Sequence, residues 1–260
     1  MILVMDIGNT NVKFGLFDGA VLKQSWRISA SKSRTADELG VVIGNLFATA
    51  GLSYKDVHGV IMASVQPALN YTVEHACEYY IGKKPIIVNS DILTDMKFMY
   101  TNPEELGADR IVNAVAAYGE YGGPCIIVDC GTATTFSAVN ADGAFLGGAI
   151  APGIKASADA LTEAASKLPK IELNKPKNII GKSTISNMQS GIINGFTGLV
   201  NYILIKMKKE DELSGAKVIA TGGLSELIDF DEGLNVIKDR ALSIKGLKLI
   251  YDKNYDKYTR

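Results

Sequence analysis

The chain has 260 residues, with Lys+Arg 27 against Asp+Glu 28, a formal net charge of −1, and 47% hydrophobic against 21% charged residues. This balance excludes a disordered chain, which needs few apolar residues and a large net charge. It also leaves no cationic excess to neutralise phosphates, so nucleic acid is not an expected partner. The length predicts one large domain or two small ones. No stretch reaches the ~20 mostly apolar residues of a membrane span without polar interruption, so no membrane partner is expected. The opening MILVMD has no basic region and meets Asp6 at once, which is unlike a secretory signal, and a cytoplasmic location is expected. Cys77, Cys125 and Cys130 are odd in number and lack C-x-x-C spacing, which argues against a disulfide framework and a zinc site. Only His58 and His75 are present, both in segments that read as structural, so histidine chemistry is not expected either.

From the start of the chain, residues 2–7 form an apolar run that ends in Asp-x-Gly and a small polar residue. A second run, 12–17, leads to the turn Asp18-Gly19, and a third strand covers about 21–28. Asp-Gly suits a tight hairpin because both central positions tolerate positive φ. Thr35 and Glu38 make a capping box. Leu39, Val42, Ile43, Leu46 and Phe47 then share one helical face, and Gly51 marks a stop. Strands are expected over 57–65 and 86–89, with a helix between them from Pro67. Pro103 suits the first turn of a further helix running to about Tyr118. Tyr121-Gly122-Gly123-Pro124 is the expected domain boundary, giving domains 1–119 and 120–260.

The opening pattern then recurs. Residues 126–132 read I-I-V-D-C-G-T, 134–139 form the second run, Asp142-Gly143 the turn, and about 144–150 the third strand. The intervals from Asp6 to Asp18 and from Asp129 to Asp142 differ by a single residue, which points to one supersecondary unit used twice. Helices are expected over 155–168 and 183–210, a strand over 217–221 and a short helix over 224–230. The closing YDKNYDKYTR is polar and reads as a fraying tail. Helices alternating with strands imply an α/β architecture.

Four groups of residues carry candidate chemistry. In Asp6, Ile7, Gly8, Asn9, Thr10, Asn11, Val12 and Lys13, a buried strand delivers a carboxylate at its tip, a glycine admits a ligand to the backbone, and a lysine returns on the next strand. Such a turn can present N–H groups to phosphate oxygens, and Asp6 can hold a magnesium ion, directly or through water. Taken alone, the same residues read as a hairpin whose Asp and Asn satisfy turn backbone. The second copy, Asp129-Cys130-Gly131-Thr132, shifts the balance, because two Asp-x-Gly tips are what a phosphate clamp between duplicated domains requires.

Asp109 and Arg110 follow Gly107-Ala108. They fit a solvated ion pair and equally a carboxylate that takes a substrate hydroxyl's proton beside a guanidinium fork for an anion. Gly181-Lys182-Ser183-Thr184 is no P-loop, since residue 176 is Pro176 where glycine is needed, and Ser183 reads as a helix N-cap. Gly191, Gly195 and Gly198 recur at helical spacing. Glycine in a helix costs roughly 1 kcal/mol, so these imply close approach of another backbone, either within the chain or from a second subunit. Thr221-Gly222-Gly223 ends a strand, where an adenine or ribose could lie on the backbone or the chain could simply turn. Cys130, Met62, Tyr79 and Tyr80 read as packing.

Together DIGNT with Lys13, YTNPEELGADR (100–110), DCGTATT (129–135), Thr184 ahead of a glycine-bearing helix, and TGG (221–223) resemble the type III pantothenate kinases. GADR upstream of D-x-G-T-A-T-T is the most specific of these; DIGNT occurs in related form through the acetate kinase, sugar kinase, Hsp70 and actin superfamily. The resemblance implies two duplicated ribonuclease-H-like domains, each with a mixed five-stranded sheet, an active site in the interdomain cleft and a dimerisation helix in the second domain. It implies ATP-dependent phosphorylation of the 4′-hydroxyl of pantothenate, the first step toward coenzyme A. Residues 6–13 and Thr132 would bind ATP, accompanied by Mg2+. Asp109 would accept the proton. Tyr100, Gly107, Ala108, Asp109 and Arg110 would hold pantothenate, with Thr184 reaching in from the partner of a homodimer. A monovalent cation, K+ or NH4+, would sit at Asp129. Other readings are a superfamily kinase with another hydroxylated acceptor and a non-catalytic regulatory accessory factor. The complete set of acidic and glycine motif residues favours catalysis.

Overall fold

The computed structural model describes residues 1–92 and 94–258. Its strands are β1 (Ile2–Ile7), β2 (Asn11–Asp18), β3 (Val21–Ser29), β4 (Gly59–Ser64), β5 (Ile86–Ile87), β6 (Cys125–Cys130), β7 (Ala133–Val139), β8 (Phe145–Pro152), β9 (Lys217–Thr221) and β10 (Ile237–Lys238). The α-helices are α1 (Ala36–Thr49), α2 (Pro67–Ala76), α3 (Ala108–Tyr121), α4 (Ile154–Ala164), α5 (Thr184–Met207) and α6 (Leu242–Tyr258).

These elements form two compact units. The first holds Met1–Met96, Thr101–Ala116 and the chain from Ala241 onward; the second holds Lys97–Tyr100 and Ala117–Arg240. Each unit has one five-stranded sheet, ordered β3-β2-β1-β4-β5 in the first and β8-β7-β6-β9-β10 in the second. In the first, β1 pairs antiparallel with β2 and parallel with β4, while β2–β3 is antiparallel and β4–β5 parallel. The second repeats that pattern strand for strand. The repeat read from the sequence is therefore a repeat of topology, and both sheets are mixed in the ribonuclease-H-like manner.

The local reasons are visible in the residues. In β1 every residue from Leu3 to Ile7 is buried, as a strand in the middle of a covered sheet must be. The edge strand β3 is mostly exposed and carries Lys23 and Arg27, charges that discourage further pairing. Helix α1 starts at the expected capping box. Glu38 N–H donates to Thr35 Oγ1 at 3.2 Å and Thr35 N–H donates to Glu38 Oε2 at 2.8 Å, a device worth about 1 kcal/mol. Its buried face, Leu39, Ile43 and Phe47, packs with Leu3, Met5, Phe14 and Leu16 of the sheet. In the second unit, Ile193, Phe196, Val200 and Leu204 of α5 pack with Ile126, Val128 and Phe136. Ser183 caps α5 through Ser186 N–H, as expected.

Several expectations need correction. Pro103 opens a short 3-10 turn, Pro103–Glu105, and α3 begins only at Ala108. The segment after TGG is a 3-10 turn, Ser225–Leu227, and not an α-helix. The polar tail continues α6 to Tyr258; of the expected fraying segment, residues 259–260 lie outside the described residues. Tyr251 and Asn254 of α6 are buried, so its apparent polarity conceals an inward face. Three glycines let α6 lie close. A Cβ on Gly15, Gly59 or Gly246 would collide with Ile244, Tyr251 or the Val112 carbonyl, respectively. Because α6 joins the first unit, the compact units are drawn differently from a single cut between 119 and 120.

Candidate functional site

In the first unit, the turn between β1 and β2 is closed by Gly8 N–H, which donates to the Asn11 carbonyl at 2.9 Å. Register sets Asp6 opposite Lys13 on β2 and Ala63 on β4, so these side chains share one face of the sheet. Lys13 Nζ lies 3.2 Å from Asp6 Oδ2. Ser243 Oγ donates to the same oxygen at 2.7 Å, and Lys13 Nζ donates to Ser243 Oγ at 3.5 Å. Asp6 is only 9% exposed; a carboxylate that deep must be paired and hydrogen-bonded. Among the described residues both of its partners bear on Oδ2, which leaves Oδ1 for a ligand. The loop tip is tied from behind by buried Gln66, whose Nε2 donates to the Asn9 carbonyl at 3.1 Å.

Gly107-Ala108-Asp109-Arg110 forms the turn into α3. Asp109 Oδ1 accepts from the Arg110 N–H at 2.8 Å, so the carboxylate sits at the positive end of the helix. A Cβ on Gly107 would stand 2.6 Å from Asp109 Oδ1 and 3.9 Å from Val65 Cγ1. Glycine here leaves room for the Asp109 carboxylate. Val65 N–H in turn donates to the Ile7 carbonyl at 3.0 Å. The candidate base and the strand tip that carries Asp6 thus belong to one compact unit. Arg110 is buried.

In the second unit, β6 ends at the equivalent tip. Gly131 N–H donates to the Ala133 carbonyl at 3.1 Å, and Gly153 N–H, at the start of α4, donates to the Thr132 carbonyl at 3.1 Å. Register sets Asp129 opposite Thr135 on β7 and Thr221 on β9. The buried Thr221 hydroxyl has no hydrogen-bond partner. Gly222, at φ +88°, passes so close that a Cβ would stand 2.6 Å from Asp129 Oδ1. One carboxylate and one unpartnered hydroxyl oxygen on the same sheet face make an oxygen donor set of the kind that suits a hard cation. Tyr100 packs edge-on against Phe145, with ring centroids 6.2 Å apart. The segment before it is pinned by Met99 N–H to the Phe145 carbonyl at 2.8 Å. Thr184 is exposed at the first position of α5.

The first unit therefore gathers residues 6–13 with 107–110, while Tyr100, Asp129, Thr132 and Thr184 belong to the second. Ser243 and Gln66 were not foreseen. Ser243 stands 237 residues from Asp6 and no motif surrounds it, whereas Gln66 could have been suspected from its place before Pro67 at a strand end. The thiols add nothing, because burial pushes Cys77, Cys125 and Cys130 up to about 12, far above the range in which a thiolate nucleophile forms. Among the described residues, no group of three or more His, Cys, Asp and Glu side chains is placed to hold a metal ion. A divalent ion would therefore share its coordination with a ligand. No helix among these residues is long and apolar enough to cross a membrane.

Known proteins define the class. A Campylobacter jejuni protein assigned to the Baf family of transcriptional activators matches with a TM-score of 0.58 at 20% identity, over 98% of this chain and 99% of that one. The activator of 2-hydroxyisocaproyl-CoA dehydratase from Clostridium difficile, solved with ADPNP bound, matches with a TM-score of 0.54 at 14% identity, over 99% and 95%. At such identities the likeness is one of fold, the actin and sugar-kinase type with two units. Sequence comparison is more specific. The family model of type III pantothenate kinase matches residues 2–206, and the type III pantothenate kinase of Geobacillus kaustophilus (strain HTA426) is 48% identical over 257 residues, 99% of each chain. The chain belongs to the type III pantothenate kinase family. It is a kinase that phosphorylates pantothenate at the expense of ATP, with a divalent metal, in coenzyme A biosynthesis.

Proposed function

We propose that residues 6–13 bind the phosphates of ATP, that Thr132 adds a contact from the second hairpin, and that Asp109 accepts the proton of the pantothenate 4′-hydroxyl. One observation carries this reading. Asp109 and the tip of β1 that carries Asp6 belong to one compact unit, so a base and a phosphate-loop carboxylate are held on one scaffold. Phosphoryl transfer asks mainly for positioning and charge stabilisation, with one placed base. Magnesium is the divalent ion we assign, with Asp6 Oδ1 to hold it directly or through water. When bound it neutralises charge on the phosphates. Lys13 pairs with Asp6 and orients it. Arg110, Tyr100, Gly107 and Ala108 hold pantothenate, Arg110 offering a planar fork to its carboxylate.

A monovalent cation, K+ or NH4+, is assigned to Asp129 on the unpartnered Thr221 hydroxyl beside it. A homodimer is supported by α5. Among the described residues, a Cβ on Gly191, Gly195 or Gly198 would meet nothing within 4 Å, so no described intrachain neighbour explains these glycines. Ile179 and Ile180 stand exposed by a groove of ≈ 620 Å³ that Gly191 and Gly195 also line. A second copy seated there would bring its own Thr184 toward pantothenate. The chemistry and the three free thiols fit a cytoplasmic setting.

A complex with pantothenate and a non-hydrolysable ATP analogue tests the assignment. The acceptor hydroxyl is expected within hydrogen-bond reach of Asp109, and the phosphates against the backbone of 8–11. A hydroxyl held by a different acidic group would remove Asp109 as the base.

A further inference from the structure

Ser243 lies beyond residues 2–206, where the family model ends, yet its side chain reaches the first hairpin. It is 3% exposed, in the first turn of α6. Its hydroxyl makes no hydrogen bond to its own helix. It donates to Asp6 Oδ2 at 2.7 Å and stands 3.5 Å from Lys13 Nζ. A carboxylate has two equivalent oxygens and a soft terminal torsion, and a lysine ammonium on its four-carbon stem fixes charge better than direction. A short hydroxyl donor on a packed helix fixes direction. The helix itself is fixed, since Gly15, Gly59 and Gly246 admit Ile244, Tyr251 and the Val112 backbone at close range. Its N-terminal end also carries the positive half of the helix dipole toward the carboxylate.

We propose that Ser243 is a positioning residue for Asp6. With Lys13 it holds Oδ2, so that Oδ1 is turned to the metal-bound nucleotide. The last helix of the chain is thereby part of the ATP site. This rests on the assignment of Asp6 to the phosphate loop.

The test uses the full chain and four variants, Ser243→Ala, Ser243→Thr, Ser243→Val and Asp6→Asn. It measures kcat, KM for MgATP, KM for pantothenate and Tm. A hydrogen bond to a charged group predicts a fall of about 10–100-fold in kcat/KM for MgATP in Ser243→Ala, with KM for pantothenate little changed and Tm lowered while the chain stays folded at assay temperature. Threonine and valine share a shape and differ in the hydroxyl, so Ser243→Thr should keep most activity and Ser243→Val should fall as alanine does. Equal activities of the Thr and Val variants would overturn the inference. So would a near-wild-type Ser243→Ala, or losses for both substrates that simply follow Tm. Asp6→Asn separates the two levels. If it is crippled while Ser243→Ala is not, only the role of Ser243 fails. If it turns over normally, the assignment of Asp6 fails and takes this inference with it.

Discussion

The two hairpins share a topology and differ in how each treats its carboxylate. On β1, Asp6 faces a lysine and is ion-paired and hydrogen-bonded on one oxygen. On β6, Asp129 occupies the same place in the strand order, and its register neighbours on both sides are threonines, one with an unpartnered hydroxyl. A charge near a sheet interior needs compensation. The first copy takes that compensation from Lys13, and we propose a monovalent cation beside the second. The same scaffold appears twice, and the residues at the facing positions differ. Neither hairpin contains the base we propose, Asp109, which lies in the first turn of α3.

That division of labour can be broken at three levels of severity. The largest effect is expected from Asp109→Asn, the group outside both hairpins. Turnover should fall by about 10²–10⁴-fold, with Tm and ATP binding retained in thermal melts and calorimetry. Next comes the facing residue of the first copy. Lys13→Ala strips a mostly buried carboxylate of its cation and should cost about 1–3 kcal/mol of stability together with most activity. Thr135→Ala, the equivalent change in the second copy, should cost less than about 1 kcal/mol. Equal losses from denaturant melts of the two variants would mean that the hairpins treat their carboxylates alike. The smallest effect concerns the thiols. Burial raises all three and keeps them protonated below pH about 12, so a disulfide exchange reagent at pH 8 should leave them unmodified until the chain is unfolded. Rapid labelling of Cys130, next to Asp129, would show that the second hairpin opens in the native state.

Much of this was legible in the residues because it is local. Asp-x-Gly tips, Asp-Gly turns and the Thr35–Glu38 box act over a few positions, and each appears where expected. The glycines of α5 announced an unusual face, although only the structure shows that nothing among the described residues fills it. Helix α6 was hidden for the opposite reason. Its inward residues, such as Tyr251 and Asn254, alternate with charges in a pattern that reads as a polar tail, and what buries them is made by residues far earlier in the chain. Ser243 shares that fate, since nothing near position 243 hints at a partner at position 6. The Pro103 error is of another kind. Proline suits the first turn of a 3-10 helix as well as an α-helix, and Gly107 then resets the chain so that Asp109 opens α3.

The proposed cation site at Asp129 is tested most directly by steady-state turnover of the wild type and Asp129→Asn as K+ replaces Na+ at constant ionic strength. The wild-type rate is expected to climb with K+ and the variant to lose that response. A wild type indifferent to the ion, or a variant activated to the same degree, would contradict it.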